Sequence, residues 1–181
     1  SVGQTKKGDA MLSYVASVNY DYNQRYYLSF SFRRDGSSRL QKDNRWDNFW
    51  ALSGSWRISQ ENFMMSLSSW LTDAKIRLSY GVNGNIPVSL YGFYGSYSTS
   101  WSYNEKPAMV ESVIANDNLS WEKNYSLNFG IDLSLFDRVN ISFDYYKRTT
   151  KDLLLDRQVN SITGFGTILD NVGEMENKGF E

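Results

Sequence analysis

Residues 119–148 read LSWEKNYSLNFGIDLSLFDRVNISFDYYKR, and this stretch carries the strongest structural signal in the chain. Apolar and polar side chains alternate through it; Asn128 and Gly130, for example, separate three large apolar residues. A period of two puts successive side chains on opposite faces of an extended chain, so the pattern predicts β-strands. The sequence Phe136–Asp137–Arg138 interrupts the alternation and predicts a turn between two antiparallel strands.

The same alternation recurs along most of the chain. It predicts six strands and the opening of a seventh, at residues 12–22, 26–33, 46–58, 74–83, 119–134, 139–148 and 171–181. The polar segments 35–45, 84–118 and 151–170 are predicted to be loops, the second of them one large loop. Residues 59–72 lose the alternation and are predicted to hold a short helical turn around residues 63–67. We therefore expect an all-β, antiparallel fold.

The composition excludes several classes of function. The 181 residues include no cysteine and no histidine, so disulfides, thiolate metal ligands and the commonest general base are all missing. The formal net charge of −1 leaves no surplus of cations for phosphates, and we expect no nucleic-acid partner. The acidic residues around the large loop, such as Glu105 and Glu111, have no spacing that predicts a paired-carboxylate site. We therefore predict no enzyme, no metal site and no cofactor.

Three features favour a transmembrane β-barrel over a soluble β-sandwich. The predicted strands have about ten residues or more, whereas globular strands average about five or six and a tilted membrane-crossing strand needs about nine to eleven. Short and long connections alternate as in outer-membrane barrels, except that segment 59–72 is long where a short turn is expected. Aromatic residues make up 16% of the chain, and several, including Trp46, Trp50 and Trp121, lie near strand ends, where barrels carry aromatic girdles.

The two predicted faces of the sheet differ in chemistry. The side chains predicted to contact lipid are Leu28, Phe30, Phe129, Ile131, Ile141 and Phe143. The opposite face carries charged residues, among them Arg33, Arg57, Lys75, Arg77, Asp132 and Asp144. Because buried charges are costly, these residues predict a wide barrel with a water-containing lumen. A soluble carbohydrate-binding sandwich and a passive porin or adhesin barrel are the alternatives.

Residues 91–104, YGFYGSYSTSWSYN, are the strongest candidate for contact with a ligand or a partner protein. Exposed aromatic rings stack on sugars or pack against proteins, and the alternative is that these rings pack against neighbouring loops. The candidate contact residues are Tyr91, Phe93, Tyr94, Tyr97, Trp101 and Tyr103.

Several strings, taken in order, resemble the barrel of SusC/RagA-type TonB-dependent outer-membrane receptors. They are NYDYNQRYYLSFSFRRDGSSRL (19–40), NRWDNFWALSGSWRIS (44–59), KIRLSYGVNGN (75–85), LSWEKNYSLNFGIDLSLFDRVNISFDYYKRTTKDLLL (119–155) and NVGEMENKGFE (171–181). Together they cover nearly the whole chain, and the ordered set is far more specific than any one string.

The resemblance implies that residues 1–181 are part of the barrel domain of about 22 strands, with a plug domain and the remaining strands outside these residues. It implies location in the outer membrane of a Gram-negative bacterium, contact with outer-membrane lipid, and uptake of a bulky substrate such as an oligosaccharide or a peptide. It further implies two partners, a SusD-like surface lipoprotein and the TonB complex, the latter reached through parts not in this chain. Because a partial wall has two unpaired edges, we expect these residues alone not to fold as a transporter.

Overall fold

The computed structural model describes residues 8–87, 89–90 and 92–181, apart from the side chain of Ser161. In this part of the chain the strands are β1 Met11–Tyr22, β2 Tyr26–Ser37, β3 Trp46–Arg57, β4 Leu71–Asn85, β5 Ser96–Tyr103, β6 Lys106–Val113, β7 Glu122–Leu135, β8 Val139–Lys151, β9 Leu154–Gln158, β10 Thr167–Asn171 and β11 Glu174–Phe180. Seven of them form one antiparallel sheet in the order β1-β2-β3-β4-β7-β8-β11. The all-β antiparallel prediction is confirmed, as is the chain order of six long strands and a shorter seventh.

The two ends of the sheet are built differently. At one end, here called the turn end, residues 23–25 join β1 to β2 and residues 136–138 join β7 to β8. In both turns the first two residues have positive φ angles near 55°, a conformation whose twist matches that of the flanking strands. The connections between β2 and β3, β4 and β7, and β8 and β11 lie at the opposite end, here called the loop end.

The connection between β3 and β4 is longer than the two turns beside it. It contains two short 3-10 helices, Ile58–Gln60 and Asn62–Leu67, which confirms the predicted helical turn. A third 3-10 helix, Ser161–Thr163, lies at the loop end. Among the described residues, no helix has the length and apolar character needed to cross a membrane.

The loop end differs from the sequence prediction in two ways. The predicted large loop contains a hairpin of β5 and β6, and the loop before β11 contains a second hairpin of β9 and β10. In addition, β7 begins at Glu122 rather than at Leu119. The side chain of Leu119 is fully buried and that of Trp121 is only 2% exposed, so the prediction of Trp121 as a girdle residue was wrong.

A small hydrophobic core fills the loop end where two strands separate. Pairing of β3 with β4 ends at Trp50 and Val82, although β3 begins at Trp46 and β4 continues to Asn85. The loop core, as we call it, consists of Leu40, Phe49, Val82, Phe93, Leu119 and Trp121. Its central contact is an edge-to-face pair of the Phe49 and Trp121 rings, 5.2 Å apart. The Trp121 Nε1–H also donates to the Arg45 carbonyl at 3.1 Å, so apolar packing and one hydrogen bond replace strand pairing here.

Gly84 is required for this packing, because a Cβ at that position would overlap the Phe49 ring. We expect Gly84→Ala to destabilise the folded protein by about 1–3 kcal/mol through overpacking. The matched control is Gly54→Ala, where the nearest atom to an added Cβ is 3.9 Å away. Denaturant unfolding of the full receptor measures both, and equal midpoints for the two variants would contradict the assigned role of Gly84.

Candidate functional surfaces

The strand register places all six residues predicted to contact lipid on one face of the sheet. Leu28 lies opposite Gly54, and Leu78 lies opposite both Gly54 and Phe129. Phe30, Ile131, Ile141 and Phe143 follow by alternation and by the pairs of β7 with β8. We call this the apolar face.

The apolar face is not covered by a second layer in the described part of the chain. Phe30, Ile141 and Phe143 keep 42%, 46% and 43% of their surface exposed. In a soluble sandwich such residues would pack beneath a second sheet and form its core. The single layer therefore argues against the soluble-sandwich alternative.

The apolar band runs obliquely across the strands. A continuous row of cross-strand partners joins Tyr22, Tyr26, Trp56, Ile76, Ile131 and Phe143. From this row the apolar residues of β1 continue toward the loop end as far as Leu12, whereas those of β8 begin nearer the turn end, at Val139, and stop at Tyr145. This displacement is about one residue per strand, as expected for a belt of constant height when strands about 4.8 Å apart tilt by about 35–45°.

Charged residues follow the band toward the loop end on the same face. Lys147 pairs with Glu176 at 2.9 Å, and Lys178 pairs with the same carboxylate at 3.2 Å. These side chains are more than a third exposed, so their pairing contributes little to stability. They mark where the apolar band ends on β8 and β11.

The opposite face, here called the polar face, carries an ion-pair network that spans three strands. Arg77 on β4 donates to Asp132 on β7 at 2.6 and 2.9 Å and to Asp144 on β8 at 3.1 Å. Ser142 donates a further hydrogen bond to Asp132 at 2.9 Å. Arg77 reaches Asp144 because Gly130 lies between them and has no side chain, and a Cβ there would overlap both groups. The predicted charged face is therefore confirmed, and Arg77, Asp132 and Asp144 are paired there while remaining partly exposed.

The candidate aromatic residues at the loop end fall into two groups. Tyr91 lies outside the described residues, and Phe93 is 3% exposed within the loop core, so Phe93 is not available to a ligand. The Phe93 side chain packs inward, because β3 and β4 separate at the loop end and apolar side chains occupy the space between them. The others, Tyr94, Tyr97, Trp101 and Tyr103, are 61–82% exposed.

Trp101 and Tyr103 form one aromatic surface on the β5–β6 hairpin. They pair with Ala108 and Lys106 and therefore share a face of the hairpin. Tyr97 lies on the other face, because an extra residue of β5 between Ser98 and Trp101 reverses the alternation. The hairpin closes with Asn104 and Glu105, both at positive φ. A two-stranded hairpin is only marginally stable on its own. Packing of its exposed rings against another surface would therefore stabilise it.

The long connection between β3 and β4 is tied to the apolar face through Glu61. The Tyr26 hydroxyl donates to Glu61 Oε1 at 2.6 Å, and Trp56 Nε1–H donates to the same oxygen at 3.1 Å. The two rings stack with centroids 6.2 Å apart, and Arg25 lies 3.5 Å from the other carboxylate oxygen. The hydrogen bond from Tyr26, followed by that from Trp56, lowers the pKa of Glu61 against the opposing effect of burial, and the charge of Arg25 adds to the lowering.

The described residues contain no group of three or more acidic side chains placed to hold a metal ion. The arrangement instead offers one apolar surface, one hydrated charged surface and a set of loops with exposed rings. Sequence reasoning missed the loop core and the Glu61 tether, since neither Gly84 nor Glu61 stands out in the alternation.

Comparison with known proteins gives a consistent result. The family model described as TonB dependent receptor-like, beta-barrel, matches residues 5–181. TonB-dependent receptor P39 of Formosa agariphila is 40% identical over 173 residues, which are 95% of this chain and 17% of that protein. TonB-dependent receptor SusC of Bacteroides thetaiotaomicron is 33% identical over 182 residues, covering 96% of this chain and 18% of that protein.

Solved structures agree with the sequence comparison. The RagAB peptide transporter matches with a TM-score of 0.86 and 33% identity, over 95% of this chain and 19% of the matched chain. The siderophore receptor PirA of Pseudomonas aeruginosa matches at 14% identity with a TM-score of 0.64, which shows a shared fold alone. The resemblance to SusC and RagA is thus confirmed, and the chain spans less than a fifth of P39, of SusC and of the matched RagAB chain, and 30% of PirA.

The lowered pKa of Glu61 predicts a pH-dependent attachment of residues 58–70. A carboxylate whose pKa is lowered by folding stabilises the structure above its unfolded pKa, about 4.3, and that stabilisation is lost as the pH falls through the lower folded value. We therefore expect the protection factors of the amides of residues 62–67, that is, their exchange rates relative to the unstructured chain at the same pH, to fall on acidification. Glu61→Gln should remove this dependence, and an unchanged acid response in that variant would show that Glu61 is not its source.

Proposed function

The chain belongs to the β-barrel family of TonB-dependent receptors, and from that premise we propose that it forms part of the wall of an outer-membrane nutrient importer in a Gram-negative bacterium. The observation that carries the proposal is the pair of unlike faces on a single layer of long strands. The oblique apolar band suits contact with lipid hydrocarbon, and the Arg77 network suits a hydrated interior.

In this proposal the residues supply scaffold and loops, and the chemistry of uptake is binding and release rather than catalysis. The relatives are receptors, not enzymes. A structural relative is described as a peptide importer, and we extend this to a bulky substrate, either a peptide or an oligosaccharide. Energy would reach the barrel from the TonB complex through parts of the receptor outside these residues.

We assign the exposed rings at the loop end to contact with cargo or with a SusD-like surface lipoprotein. Of the six predicted residues, the proposal retains Tyr94, Tyr97, Trp101 and Tyr103, which are exposed, and sets aside the buried Phe93. Tyr91 lies outside the described residues and stays a prediction. Trp101 and Tyr103 are the strongest candidates because they share one face of the hairpin. Aromatic side chains of this kind dominate the binding energy of protein interfaces.

The first test uses two adjacent residues on opposite faces. Phe129→Arg places a charge on the apolar face and should cost about 2–4 kcal/mol if it lies near the bilayer midplane. Asn128→Arg adds the same charge to the polar face, where water is available, and should cost far less. Heat-modifiable migration of the full receptor across a urea series in lipid vesicles measures both. Equal losses, or none, would refute a lipid-facing position for Phe129.

The second test addresses the hairpin. The double substitution Trp101→Ala and Tyr103→Ala should weaken binding of the lipoprotein partner by about 2 kcal/mol, or roughly 30-fold. Ile162→Ala is the control, since Ile162 is a 90% exposed apolar residue of another connection at the loop end. Titration of the full receptor with the purified lipoprotein measures the affinity. An unchanged affinity in the double variant would remove the hairpin from the interface, and a repeat titration with cargo then tests the other assignment.

A further inference from the structure

The connection between β3 and β4 is unusual among the connections at the turn end. Residues 23–25 and 136–138 are tight turns, whereas residues 58–70 extend over two 3-10 helices. A long segment without extended structure in such a position needs a physical reason, since short turns suffice to pair antiparallel strands.

The connection is held at two points, by Ser59, which donates to Asp73 of β4 at 2.6 Å, and by Glu61, which binds residues of the apolar face. Glu61 accepts hydrogen bonds from Tyr26 and Trp56, which are the residues of the apolar face nearest the turn end on β2 and β3. Glu61 is the one ionisable side chain among residues 58–70. The two hydrogen bonds and the neighbouring Arg25 provide partners for both of its carboxylate oxygens. The segment ISQENFMMSLSSW therefore presents no lysine or arginine and no unpaired carboxylate.

The connection also exposes large apolar side chains. Phe63 and Met65 are 65% and 63% exposed, and Trp70 is 41% exposed. The surface continues to the neighbouring turn, because the Phe136 N–H donates to the Trp70 carbonyl at 2.8 Å and Phe136 is itself 62% exposed. By contrast, the turn between β1 and β2 reads Asn23–Gln24–Arg25 and is polar.

We propose that residues 58–70 are an interfacial anchor that lies in the phospholipid leaflet at the turn end, with Phe63 and Met65 among the headgroups and upper acyl chains. This inference rests on the proposed function, because it takes the apolar face as the lipid-facing side of the wall. Short segments with exposed aromatic and apolar residues bind at the boundary between headgroups and hydrocarbon. Tryptophan and tyrosine are enriched at that depth, as Tyr26, Trp56 and Trp70 would be here.

Phospholipid is a better match for this surface than a protein partner. Glu61 joins the connection to Tyr26 and Trp56 on the apolar face, so the exposed apolar side chains of the connection lie next to that face and not at a distant site. Residues 58–70 contain no lysine or arginine, and the neighbouring Arg25 is paired with Glu61, so the segment itself does not select anionic headgroups and fits zwitterionic phospholipid. The Glu61 tether then acts as a positioning contact that holds the segment against the outside of the wall.

The experiment places single spin labels in the full-length receptor, freed of any other cysteines and reconstituted in phosphatidylethanolamine and phosphatidylcholine vesicles. The labelled variants are Phe63→Cys and Met65→Cys in the connection, Gln24→Cys in the polar turn at the same end, and Phe30→Cys on the apolar face. Power saturation compares collision with oxygen, which partitions into lipid, and with a neutral nickel chelate, which stays in water. We expect the oxygen-to-nickel ratio at Phe63 and Met65 to exceed that at Gln24 severalfold.

The remaining outcomes separate this inference from the proposed function. If the labels at Phe63 and Met65 behave like the label at Gln24, or are shielded from both reagents as in a protein interface, the anchor is refuted while a lipid-type ratio at Phe30 keeps the wall. If Phe30 itself reports water, the proposed function fails first. In the Phe63→Cys variant, the further substitutions Tyr26→Phe and Glu61→Ala should lower the oxygen-to-nickel ratio toward that at Gln24. An unchanged ratio would show that the Glu61 tether does not hold the segment in the membrane.

Discussion

Backbone hydrogen bonding without water is the constraint on which this structure depends. Hydrocarbon offers no partner to a peptide N–H or carbonyl, so every such group at membrane depth must pair within the protein. The chain meets this requirement by pairing neighbouring strands. For example, β1 and β2 are paired without a break from Met11 opposite Ser37 to Tyr22 opposite Tyr26. The long strands and the tight turns both follow from this requirement.

The constraint is relaxed at the ends of the sheet, and the structure changes character there. At the loop end β3 and β4 part after Trp50 and Val82, and the rings of Phe49 and Trp121 fill the space. At the turn end a glutamate side chain, rather than a strand, connects the segment after β3 to the wall. On the polar face Arg77 uses the space above Gly130 to bridge three strands, so that charges facing the interior are paired without being fully buried. Side-chain contacts thus connect the parts of the structure that backbone hydrogen bonds between strands do not reach.

Alternation was sufficient to predict the sheet because each long strand has one apolar and one polar face. It located the strands and the sidedness of Phe129 and Asp132 from the sequence. It failed at Leu119 and Trp121, which keep the period of two but belong to the loop core, because periodicity does not reveal where a strand leaves its partner. The β5–β6 hairpin was missed since its turn, Asn104–Glu105, contains no glycine and its rings alternate with serines that are typical of loops. The burial of Phe93 depends on contacts far apart in sequence, which no local pattern encodes.

The strict alternation of the strands has an evolutionary consequence. Inserting or deleting one residue within β7 would exchange its two faces from that point onward, and under the proposed function it would turn Phe129 or its neighbours toward the interior and Asp132 toward the bilayer. Changes of length are therefore costly within the paired strands and better tolerated in connections such as the one between β4 and β7, where a segment as large as the β5–β6 hairpin is accommodated. Under the proposed function, evolution can replace or lengthen these connections and so change which ligand the receptor binds. The strands meanwhile keep the same side chains on the same faces.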